Sequence, residues 1–101
     1  MQQVINIIKQ TIKHCKNNGK MFHLPSLGRN DLTESRTTNN TDNTILYSET
    51  YEIKFNNGDW IKIIYESKDK CHTFQINPDK SVIRVTCSDS SFDFNDAWEE
   101  K

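Results

Sequence analysis

At 101 residues the chain has the size of one domain built on a single core. Hydrophobic residues are only 34%, yet 13 basic and 14 acidic residues leave a net charge of −1. The polarity therefore comes from uncharged side chains, and the high net charge that accompanies wholesale disorder is missing. No run approaches the roughly 18 apolar residues of a membrane span, and the start lacks the basic-then-apolar order of a secretory signal. Cys15, Cys71 and Cys87 are odd in number and far apart, which predicts reduced thiols in a cytoplasmic protein. Asparagine and isoleucine, 11 each, and lysine, 10, all have AT-rich codons, as in the genes of an AT-rich bacterium or its phage; if the gene is a phage's, that cytoplasm would be the host cell's.

The opening "MQQVINIIKQTIKHCKNNG" predicts an amphipathic helix over 1–18, with Gly19 as a left-handed cap. Val4, Ile5, Ile8, Ile12 and Cys15 recur at helical spacing on one face, while Lys9, Lys13 and Lys16 line a neighbouring polar face. "KMFHL" is available as a short edge strand. From 25 to 44 the apolar content nearly vanishes, which predicts a long flexible polar loop, with "DLTE" forming one turn capped by Asp31.

An antiparallel sheet is expected over 45–88. "YSETYEIKF" places Tyr47, Tyr51, Ile53 and Phe55 on one face, and "WIKIIYES" places Ile61, Ile63 and Tyr65 on one face with Trp60, Lys62 and Ile64 on the other. A two-residue turn at Asn57-Gly58 would mix apolar with polar faces. A three-residue loop, 56–58, pairs Ile53 with Ile61 and Tyr51 with Ile63 and puts glycine at its left-handed position. "HTFQINPDKSVIRVTC" suggests a second hairpin around Pro78, with Phe74 opposite Ile83 and His72 opposite Val85. The expected fold is α+β: the N-terminal helix packed on a four-stranded antiparallel meander, or five-stranded if "KMFHL" joins it. Its core would be Ile5, Ile8, Ile12, Tyr51, Ile53, Ile61, Ile63, Phe74, Ile83 and Val85.

Chemistry is sparse. His14-Cys15 and Cys71-His72 are adjacent pairs, whose side chains diverge on a helix or a strand and chelate metal poorly, so no metal or other cofactor is expected. No cysteine–histidine nucleophile, paired carboxylates or glycine-rich phosphate loop stands out, and catalysis is not the favoured reading.

Charge is uneven along the chain. Residues 1–20 carry four lysines and no acid, whereas 88–101 carry Asp89, Asp93, Asp96, Glu99 and Glu100 against Lys101, for −4. "SSFDFNDAWEEK" (90–101) sets Phe94 and Trp98 among those carboxylates. Trp60 and Ile64 stand on the sheet face away from the helix. Together they suggest an acidic aromatic surface for a larger protein, plausibly a basic or nucleic-acid-binding one. The expectation is a non-catalytic protein-binding module that inhibits by occlusion. Phage anti-defence (anti-CRISPR-like) and toxin-neutralising immunity proteins work in this way. The alternative is a small nucleic-acid-binding protein or enzyme using Lys9, Lys13, Lys16 and Lys20 with His14 or His23, although the slightly acidic whole opposes direct nucleic-acid binding.

Overall fold

The computed structural model describes residues 1–19, 22–39, 47–67 and 81–89. In chain order these form a helix, α1 (Gln2–Asn17), and four strands, β1 (Leu32–Asn39), β2 (Tyr47–Phe55), β3 (Trp60–Ser67) and β4 (Ser81–Cys87). The strands make one antiparallel sheet in the order β1-β2-β3-β4. The α+β class is as expected.

α1 buries the stripe that its period defines, namely Val4, Ile5, Ile8, Ile12 and Cys15. It ends as glycine permits: Gly19 is left-handed (φ 62°), and the Asn18 side-chain amide donates to the His14 carbonyl at 2.8 Å. The helix stripe joins Tyr51, Ile53, Phe55, Ile61, Ile63, Tyr65, Ile83 and Val85 of the sheet in one buried cluster. Every core residue expected from the sequence lies in it except Phe74, which falls outside the described residues.

The β2–β3 hairpin has the three-residue loop, with Ile53 opposite Ile61, Tyr51 opposite Ile63 and Gly58 at φ 99°. The Phe55 amide donates to the Asp59 carbonyl (2.8 Å), which closes the loop.

Three expectations are corrected. Within the segment expected to be a flexible loop over 25–44, Leu32–Asn39 form β1, paired with β2 along its whole length. "DLTE" is accordingly extended and not a turn of helix, and Asp31 forms an ion pair with Arg29 (2.5 Å). β1 lacks alternation because it sits at the end of the described sheet, with residues 33–38 exposed on both faces. Its threonines suit a strand that packs an apolar side chain on the core only at Leu32. Second, β4 lies directly beside β3, with Ile83 opposite Tyr65 and Val85 opposite Ile63, where the expected meander put 72–77 next to β3; the expected pairings of Phe74 with Ile83 and His72 with Val85 fall outside the described residues. Either neighbour would match apolar to apolar, because alternation selects a face and not a neighbour. Third, the described part of "KMFHL" is not a strand: 22–29 run without regular structure, and Phe22 and Leu24 drop into the core.

Candidate partner-binding face

The helix covers one side of the sheet, and the alternate residues of each strand form the other. On this outer face Trp60 begins β3 and is the exposed large hydrophobic residue of the described chain, at 42%. Its backbone is fixed on both sides. The Trp60 amide donates to Ser88 Oγ (3.1 Å) and its carbonyl accepts from the Ser88 amide (2.9 Å), while Ser88 Oγ also reaches Asp59 Oδ1 (3.2 Å). Asp89 follows, exposed, with its carbonyl accepting from the Cys87 thiol at 3.0 Å. The structure thus brings Trp60 and Asp89 to one end of the sheet.

Four residues on, Ile64 is half-buried between Thr50 and Arg84, and exposed Lys62 stands between it and Trp60 along the strand. Lys54 is opposite Trp60, and Arg84 is paired with Glu66 across β3–β4 (3.0 Å). Lys54, Lys62 and Arg84 against Glu52 and Glu66 make the strands themselves slightly cationic on this face. The acidic character expected there is carried in the sequence by 88–101, of which Asp89 is described. Asp93, Phe94, Asp96, Trp98, Glu99 and Glu100 lie outside the described residues.

The lysine face of the alternative reading is on the opposite layer. Lys9, Lys13 and His14 are exposed on α1, Lys16 is half-buried, His23 is exposed after the helix, and Lys20 is outside the described residues. Among the described residues no helix is long and apolar enough to cross a membrane. Cys15 is buried and Cys87 half-buried, and no group of three or more histidine, cysteine, aspartate or glutamate side chains among the described residues is placed to hold a metal ion.

A polar cluster on the inner face was not foreseen. Glu49 is fully buried beneath β2, where Arg36 of β1 donates to its Oε1 at 2.5 Å and the Tyr51 hydroxyl donates to its Oε2. The Arg36 guanidinium also lies 5.9 Å from the centre of the Tyr51 ring, and Phe22 meets that ring edge-on at 5.5 Å. Burial pushes the Tyr51 hydroxyl well above its ordinary pKa, and the bond to Glu49 and its charge push it further. A buried carboxylate demands such donors. Both Glu49 oxygens are engaged, so the cluster acts as a clamp between β1 and β2. Its signal in the sequence was a glutamate at an inward position of β2, between Tyr47 and Tyr51; with β1 unrecognised, Arg36 had no place beside it.

No family model matches the chain, and neither the curated proteins nor the solved structures contain a match to it.

Proposed function

We propose that the protein is a non-catalytic binding protein that occupies the surface of a larger protein through its outer sheet face. The observation that carries this reading is Trp60: a large ring left exposed on a strand whose backbone is fixed by Ser88. Burying such a ring against a partner supplies affinity at little ordering cost, and tryptophan is a frequent hot spot. Ile64 extends the apolar contact, and Asp89 begins the acidic stretch at the same end. That stretch would steer the protein toward a basic surface such as a nucleic-acid-binding groove, which favours an inhibitor that competes for the groove.

The test uses wild type and Trp60→Ala as baits for a cell extract, with melting curves to show that both fold. A partner retained by wild type should dissociate at least about tenfold faster from Trp60→Ala. Salt titrations with RNA and DNA run alongside. An unchanged set of bound proteins, together with salt-sensitive nucleic-acid binding lost in Lys9→Ala/Lys13→Ala, would replace this reading with the helix-face alternative.

A further inference from the structure

We infer that Asn18 is a self-modification site: with water as the co-reactant, the Asn18-Gly19 pair converts its side-chain amide into aspartate and isoaspartate, while the same pair at Asn57-Gly58 is held back by the sheet. The inference is independent of the Trp60 face. Its chemistry is open to any asparagine followed by glycine. The Gly19 nitrogen bonds to Asn18 Cγ and gives up its proton, the Cγ–Nδ2 bond breaks, and Nδ2 leaves as ammonia. Water then opens the cyclic imide at one carbonyl or the other, which leaves aspartate in the first case and isoaspartate in the second. Glycine favours the closure because it has no Cβ beside the attacking nitrogen and accepts whatever φ the ring imposes.

The chain contains this pair twice, each time as "NNG", so structure must separate the two sites. Asn57 lies in the loop that joins β2 to β3. Its Oδ1 accepts from the Asp59 amide (2.9 Å), its Nδ2 donates to Asp59 Oδ2 (3.1 Å), and the Gly58 amide donates to the Phe55 carbonyl (3.1 Å). Ile53 and Ile61, both buried, face each other just inside the loop. Freeing the Gly58 nitrogen therefore means opening the hairpin at the core.

Asn18 is the C-cap of α1, and its ψ of 5° turns the Gly19 nitrogen away from its side chain, so closure needs a rotation about ψ. That rotation breaks the bond from the Gly19 amide to the Lys16 carbonyl, which at 3.4 Å is already long. The side chain must also leave the His14 carbonyl. No apolar group is uncovered, because Asn17 and Asn18 are exposed and the nearest buried residues among those described are Cys15 and Phe22. Helix ends open at almost no cost, whereas core strands open only at a cost approaching that of global unfolding. His14 adds chemistry to this access. Its imidazole Nδ1 lies 3.3 Å from Asn18 Nδ2, the nitrogen that must gain a proton to depart, and is placed to hand one over. The neighbour of Asn57 Nδ2 is instead a carboxylate, which accepts from the amide and holds it. The product places a carboxylate in residues 1–20, which otherwise carry four lysines and no acid, at the carbonyl end of α1 where the helix dipole opposes it.

Peptide mapping by mass spectrometry of protein aged at neutral pH follows both sites in one sample, and enzymatic isoaspartyl methylation identifies the isomer. In the folded protein Asn18 should be converted at least about tenfold faster than Asn57, since one site opens at a helix end and the other through the core. In urea most of that difference should vanish, because the reacting atoms are the same. His14→Ala should slow Asn18 severalfold and leave Asn57 unchanged. Added imidazole should then speed the variant by a larger factor than wild type, which a change in packing alone would not produce. Asn57 reacting as fast as Asn18 in the folded protein would overturn the proposal. So would a gap that persists undiminished in urea, or an Asn18 rate indifferent to His14→Ala.

Discussion

Glu49 shows how a single residue determines what its neighbours must be. Its carboxylate is out of contact with water and depends on Arg36 and Tyr51. Arg36→Ala should lower stability by roughly 1–3 kcal/mol, the cost of leaving a buried acceptor short of a donor. On a Glu49→Gln background the same change should cost less, and a urea double-mutant cycle measures the difference as coupling. Tyr51 adds a pH signature. Its folded pKa lies above the ordinary 10.0, so the folded state holds the hydroxyl proton more tightly than the unfolded chain. The stability this contributes is complete below pH 10 and is lost as pH rises through the alkaline range above it. Stability should therefore fall above pH 10, and Tyr51→Phe should fall less steeply over the same range.

At the scale of elements, the open question is how a strand without apolar alternation holds its place. Half of the β1 amides face β2 and half face away, on the side where the described sheet ends. In dilute solution, amide exchange over Leu32–Asn39 should alternate slow and fast residue by residue; uniformly fast exchange would mean that β1 does not form. The elements legible in the sequence were those with one buried face. The α1 stripe, the faces of β2, β3 and β4, and the hairpin register all follow from periodicity plus one glycine. What was not legible had no such asymmetry. β1 is exposed on both faces over 33–38, and the pairing of β4 with β3 is invisible to a pattern that repeats every two residues. Trp60 was legible as an outward residue, and its fixed backbone was not, because the Ser88 contacts depend on β4 being the neighbour of β3. Ile63→Asp, with a charge at the fully buried centre of β3, should abolish the cooperative melting transition, since such a cost is comparable to the roughly 5–15 kcal/mol that holds a domain together.

For the whole molecule, the two layers divide the work. The helix layer carries Lys9, Lys13 and Lys16 and closes the core, and the sheet layer presents Trp60 to the outside. The strand order has a further consequence, in time as well as in space. Every described strand lies beside the strand next to it in the chain, so each ladder can form without waiting for a distant segment. Chains with short-range pairing fold faster than those that must close large loops. The β2–β3 hairpin, with three loop residues, has the smallest loop to close and is the natural starting point, on the microsecond scale of isolated hairpins. α1 must cross 22–31 before it can cover the sheet, and it docks later. Gly58, at φ 99° in that hairpin loop, then belongs to the folding nucleus. Gly58→Ala should slow refolding by nearly the whole of its effect on stability and leave unfolding almost unchanged, whereas Ile8→Val in the helix should mainly speed unfolding. Stopped-flow chevrons of the two variants would show which end of the chain commits the molecule to its fold.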